Sequence, residues 1–297
     1  MEWFSFSLAG ASSLAVTGII DKFILGRYVR NPLPYLLALV ILQQIFALGI
    51  LAFAGPGFIY PYSFYALAAG AAQVALWISY LRALQIEETS RIAALVYVYP
   101  AFVFLGANVL LGETLTRENY AGGIILVCSA LLVSLRPEAG RGLMSLSPAL
   151  KYMVIFWIFT AAYALAAKYL LSFMDEWHLI MWSSLGNMLL VLPLFGGRGM
   201  RDETLGYFRG GTFLFLVLLA DEIFDFLGRS AFIFAYARGS AALVSCVGAL
   251  QPFITFLYVI LLGLFIPGIL REELDARTVL QKLAAFFLIV IGVYLVS

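Results

Sequence analysis

The sequence predicts an all-α membrane protein of ten transmembrane helices arranged as two inverted five-helix repeats. Three observations carry this. Of 297 residues, 63% are hydrophobic and 12% charged, with a mean hydropathy of +0.99; soluble domains run at roughly 45–50% apolar and about 25% charged. Apolar windows of about 20 residues, the length that crosses hydrocarbon, recur with short polar breaks between them. The landmarks of the first half also return in the same order in the second half, one segment of them at an offset of 152.

The windows fall at 3–25, 33–54, 59–82, 89–111 and 117–135, then at 148–172, 177–196, 210–236, 240–266 and 278–296. The first is read as a retained helix, because Met1-Glu2-Trp3 lacks the basic start of a cleaved signal peptide. Turn residues separate the windows: Arg30-Asn31-Pro32, Gly55-Pro56-Gly57, Gly196-Gly197-Arg198-Gly199 and Pro267-Gly268. Ten-residue alternation of apolar and polar residues is missing, which argues against a β-barrel. The polar stretch 136–147 divides a first repeat, 1–135, from a second, 148–297.

The repeat rests on ordered matches. Ala83 to Pro100 can be laid on Ala235 to Pro252, and each proline leads into an aromatic-rich run. An acidic loop follows, with Glu113 in one half and Glu272 in the other, and each last helix closes in Leu-Val-Ser. Asp21 to Leu25 corresponds to Ala167 to Leu171. Five is odd, so the second half enters the membrane from the opposite side. Secondary transporters share this inverted architecture and bind at the midplane between their halves.

The stretch Tyr80-Leu81-Arg82-Ala83-Leu84, then Ser90, Pro100 and Leu111-Gly112-Glu113-Thr114-Leu115-Thr116, resembles the EamA-like branch of the drug/metabolite transporter superfamily. Gly122-Gly123 and Ile291-Gly292-Val293 fit the glycine-containing last helix of its repeats, and the resemblance covers essentially the whole chain. It implies a transporter with both termini inside. Three features depart from it: the insertion Leu264 to Ile269, Gln281-Lys282 in place of Gly122-Gly123, and an unusually charged eighth window. Members move amino acids, sugars, nucleotide sugars, cations and drugs, so the resemblance leaves the solute open.

Charge sets further bounds. A net charge of +1 offers no bulk attraction for nucleic acid. Fourteen of the 18 Lys and Arg residues fall in or beside the loops after windows 1, 3, 5, 7 and 9. The positive-inside rule puts those loops in the cytoplasm and both termini outside, in a plasma or inner membrane. This is opposite to what the resemblance implies. No cofactor or metal is expected: Cys128 and Cys246 lie in apolar runs without metal spacing, His178 is the single histidine, and no phosphate-binding G-x-x-x-x-G-K-[ST] loop occurs.

The eighth window carries the candidate chemistry. Asp221, Glu222, Asp225 and Arg229 lie near its middle. An ionisable group there costs roughly 2.5–3.5 kcal/mol or more, and so marks a pathway by default. Asp221, Asp225 and Arg229 follow i, i+4, i+8 spacing and share a face. Three carboxylates beside one guanidinium cannot all be ionised cheaply. Glu222 is the first candidate for proton or cation exchange and Asp225 the second; the alternative is an ion-pair cluster that orients the helix. On the third window, Gln73, Trp77 and Tyr80 share a face and offer an aromatic wall with polar groups. Tyr97, Tyr99 and Gln251 flank Pro100 and Pro252, whose missing N–H groups invite kinks that could serve as hinges. Lys168 is a further candidate, with snorkelling to the headgroups as its alternative role. Glu113 and Glu272 are read as helix-end residues.

The sequence therefore leads to a non-enzymatic transporter working by alternating access, with a small solute, the bilayer and optionally protons as partners. The alternatives are a channel or lipid flippase, and an intramembrane enzyme. Oligomeric state is left open.

Overall fold

Helix caps are written locally in the sequence, and the chain obeys them. Asn31 accepts a hydrogen bond from the Leu33 N–H at 3.3 Å ahead of Pro32, a pairing suited to a helix start. That helix ends at Gly55, whose φ of +77° suits glycine best. Asp175 and Ser240 cap two later helices through the N–H groups of His178 and Leu243, at 3.1 and 3.4 Å.

The computed structural model describes residues 2–29, 31–87, 92, 95–96, 98–134, 149–265 and 276–296. Tyr97, the linker 136–147, Glu272 and most of the insertion at 264–269 lie outside the described residues. Before the linker come α1 (Glu2–Arg27), α2 (Pro32–Ala54), α3 (Tyr62–Ile86), α4 (Tyr99–Leu111) and α5 (Arg117–Ser134). After it come α6 (Leu150–Leu170), α7 (Glu176–Val191, prolonged by a 3₁₀ turn Leu192–Gly196) and α8 (Arg198–Arg209). The chain continues through α9 (Thr212–Arg238), α10 (Ala241–Gly248), α11 (Gln251–Phe265) and α12 (Ala276–Val296). No strand occurs among the described residues.

Among the described residues six stretches are long and apolar enough to cross a membrane: α1, α2, α3, α6, α7 with its 3₁₀ turn, and α10–α11 as far as Gly263. The protein is thus an all-α, multi-pass integral membrane protein, built of the one open-ended element that satisfies its own backbone in lipid. The exposed surface fits this assignment. Leu48, Phe53, Leu105, Val109, Leu216 and Phe287 are large, apolar and turned outward.

α9 is organised inside-out. Its 27 residues span about 40 Å, with Phe213, Leu216, Ile223 and Leu227 exposed while Asp221 and Glu222 are buried. It runs antiparallel to α1: Gly10 meets Gly228, and Trp3 meets Gly239. The longest packing seams pair helices from opposite sides of the linker. They are α1 with α9, α3 with α6 and α7, and α5 with α12. Small residues permit the tightest of these crossings. A Cβ on Gly70 would stand 1.9 Å from the Ser183 carbonyl oxygen, and one on Gly186 would stand 2.0 Å from that of Leu67.

Two elements differ from the sequence expectation. The window 240–266 is not one helix but two, because Pro252 has no N–H to give the Gly248 carbonyl. The chain tightens instead, with Ala249 N donating to Cys246 O and Leu250 N to Val247 O, both at 3.0 Å. Pro100 stands at the same place in α4, after a Val98 N–Leu95 O bond of 3.2 Å. The second difference is α8. Its Arg198, Arg201, Asp202 and Glu203 are exposed, while Met200, Tyr207 and Phe208 pack against the core. Its glycine-rich, charged composition reads as a loop until the packed side is seen.

Gly186→Val should drive two helix backbones apart and destabilise the protein by more than about 2 kcal/mol, measured by thermal unfolding in detergent. Gly206→Ala, where a Cβ meets nothing within 4 Å, should leave the melting temperature unchanged or raise it slightly.

Candidate functional site

Burying one charged stripe of α9 requires neighbours that can face it. α1, α2, α3 and α6 do so, and with the start of α4 and the α10–α11 break they line a cavity of about 280 Å³. Residues from both sides of the linker line it. All four charged candidates of α9 are there, together with Gln73, Trp77, Tyr80, Tyr99 and Gln251. Lys168 and Pro100 are not among the described lining residues.

The charges are sorted along the stripe. Arg229 Nη2 lies 2.5 Å from Asp225 Oδ2, one helical turn away, in a charge-assisted pair. Its guanidinium carbon sits 5.3 Å from the centre of the Trp77 ring. Gln43, buried in α2, completes the surround: with its amide turned, the oxygen accepts from Arg229. The Asn187 amide nitrogen of α7 stands 3.0 Å from the Gln43 carboxamide and 3.4 Å from Gln73 Oε1.

Nearer the start of α9 the balance is acidic. Asp221 and Glu222 are 1% and 4% exposed, and Asp221 Oδ1 and Glu222 Oε2 have no hydrogen-bond partner among the described residues. Asp21 of α1 joins them in the cavity wall, accepting from the Tyr35 hydroxyl at 2.7 Å. Four carboxylates therefore share the space with one guanidinium, in a cavity whose wall also holds Tyr80 and Phe156, with ring centres 6.0 Å apart, and further aromatic rings. Toward the end of α9, Tyr99, Tyr236 and Gln251 make an uncharged polar wall, with Tyr236 Oη 3.3 Å from Ser245 Oγ.

Lys168 does other work. Its Nζ donates to the carbonyls of Tyr236 and Gly239 at 2.8 and 2.7 Å, capping the end of α9. Glu113 also binds a helix end, as expected of it. It accepts from Ser240 Oγ at 2.5 Å and Ala241 N at 2.9 Å, at the start of α10. His178 lies outside the cavity lining, with its ring Nδ1 against the Asp175 carboxylate. Partial burial works to raise the Asp175 carboxyl, but hydrogen bonds from His178 prevail and hold it below the usual range.

Sequence reasoning overlooked Asp21, Gln43 and Asn187. Asp21 was a readable signal, an acid inside an apolar window, but its motif served only to align the repeats. Gln43 and Asn187 are uncharged amides in apolar runs, and only packing reveals that Gln43 reaches Arg229 and Asn187 reaches Gln43 and Gln73.

What the fold and site define is a multi-pass helical membrane protein with a cavity between its helices that is acidic at one end. No family model matches the sequence, and no curated protein does. Among solved structures, one described only as "Crystal structure of protein" superposes with a TM-score of 0.66. The match covers 96% of this chain and 95% of that one, at 15% identity. It establishes a shared fold.

The Asp225–Arg229 pair should behave as a buried unit. Arg229→Met alone leaves Asp225 unpaired and should cost about 3 kcal/mol or more. Combining it with Asp225→Leu should recover most of that loss in a double-mutant cycle of thermal unfolding. Equal stability of the single and double variants would mean that the pair is solvated and contributes little.

Proposed function

We propose that this protein is a secondary transporter, carrying a small solute across the membrane by alternating access. The observation that carries the reading is the stripe Asp221–Glu222–Asp225–Arg229 in mid-helix, its first two acids buried and its other two residues partly so, opening on a cavity lined from both sides of the linker. Charges in such a position are costly, and they mark solute or proton pathways in membrane proteins.

The proposed architecture is ten transmembrane helices in two inverted repeats, consistent with the resemblance to the EamA-like branch. The two prolines support it. Each stands second in its helix, after the same tightened i to i−3 hydrogen bond, on opposite sides of the linker. Tyr99 and Gln251, one residue before each proline, both reach the cavity. A rocking motion about these breaks would alter the cavity wall directly. Glu222 is the proposed coupling carboxylate: of the paired acids, Asp225 is held by Arg229 and Asp21 by Tyr35. The basic loops are proposed to face the cytoplasm.

In proteoliposomes with an imposed pH gradient, the wild type should accumulate a solute from a broad panel. Glu222→Gln should abolish that coupled flux while eluting as a folded, monodisperse species in detergent. Normal transport by the variant would make Glu222 structural. A reporter fused to the C-terminus should be active only when its activity requires the outside compartment; activity specific to the cytoplasm would reverse the orientation.

A further inference from the structure

On the transporter reading, the charge balance of the cavity also narrows what it carries. Asp225 is committed to Arg229 at 2.5 Å, and Asp21 to the Tyr35 hydroxyl at 2.7 Å. Asp221 and Glu222 remain, deeply buried, each with one oxygen that has no hydrogen-bond partner among the described residues. The groups facing them are Asp21 from α1 with Tyr35 of α2 behind it, Tyr80 from α3, and Asp225 and Arg229 on their own helix. Like charge predominates, so a cation placed here relieves repulsion as well as gaining a partner.

Other solute charges fit poorly. An anion or a zwitterion needs a partner for its carboxylate, and Arg229 is the cavity's one cationic side chain among the described residues. Taking Arg229 would strand Asp225 as a buried, unpaired charge, which is strongly unfavourable. A metal ion needs several converging ligands, and no group of three or more His, Cys, Asp or Glu is so placed among the described residues. The remaining walls mix aliphatic side chains with aromatic rings, Tyr80, Phe156, Tyr163 and Phe232. Ring faces attract cations, quaternary ammonium groups above all.

We propose that the cavity binds an organic monocation, an amine or quaternary ammonium group held by Asp221 and Glu222 with its apolar body against the aromatic walls. The volume, about 280 Å³, lies just below the usual range for ligand pockets and suits a body of about one ring.

The test is equilibrium binding of radiolabelled benzyltrimethylammonium to the purified full-length protein in detergent, so that it does not depend on flux. At pH 8 the permanent cation should bind saturably. An excess of neopentylbenzene, its neutral isostere, or of phenylalanine, a zwitterion, should not displace it. Binding should weaken at least tenfold in Glu222→Gln and in Asp221→Asn. In the unmodified protein it should also weaken as the pH falls to 5, when protons compete for the same carboxylates; this arm does not depend on any variant folding. The proposal is overturned if the cation does not bind, if either competitor displaces it, if both folded variants bind like wild type, or if binding is independent of pH. Intact cation binding without flux in vesicles would overturn the transporter reading alone. Coupled flux of a neutral or anionic solute without cation binding would overturn the cation assignment alone.

Discussion

The structure turns on keeping four ionisable side chains of one helix out of lipid. A stripe of three acids and an arginine in the middle of α9 cannot face hydrocarbon, so the rest of the bundle is arranged around hiding it. α1 covers one side through a glycine-to-glycine crossing, and α2 and α3 supply Gln43 and Trp77 to surround the guanidinium. Leucine, isoleucine and phenylalanine on the opposite side of α9 complete the inversion. The cavity is the consequence: partners for so much charge leave space that apolar side chains would otherwise fill.

Rigid and breakable parts of the bundle are separate. Where α3 meets α7 the backbones nearly touch, through Gly70 and Gly186, and such a crossing has little freedom to slide. The chain is interrupted where prolines remove a hydrogen bond, ahead of α4 and between α10 and α11, and both interruptions border the cavity. Beyond the cavity, Lys168 and Glu113 tie the end of α9 and the start of α10 to elements on either side of the linker. These contacts are polar and can exchange partners, unlike the glycine seams. The proposed mechanism assigns motion to the proline breaks and polar ties, and stiffness to the seams.

Much of this was legible in the sequence, for identifiable reasons. Apolar windows set the membrane class because bilayer thickness dictates helix length. The α9 stripe, with Gln73, Trp77, Tyr80, Tyr99 and Gln251, could be chosen because polar residues within apolar helices stand out. The kinks expected at Pro100 and Pro252 became breaks, since a missing N–H predicts where the ladder fails and not how far the chain relaxes. Lys168 looked like a site residue because a lysine among apolar neighbours is conspicuous; the carbonyls it caps become neighbours only in three dimensions. Asp21 was hidden by its own motif, and Gln43 and Asn187 by the plainness of uncharged amides among apolar residues. α8 was hidden by composition, because its packed side holds few residues.

Alternating access around the cavity is the central claim, and side-specific thiol labelling tests it most directly. Thr160 lines the cavity, and Thr160→Cys, in a background with Cys128→Ser and Cys246→Ala, places one thiol there. Oriented vesicles would be treated with a membrane-impermeant maleimide from either face, with and without an imposed pH gradient. The account predicts labelling from one face at a time, with the reactive face exchanged by the gradient. Labelling from both faces at once, or from the same face under every condition, would contradict it.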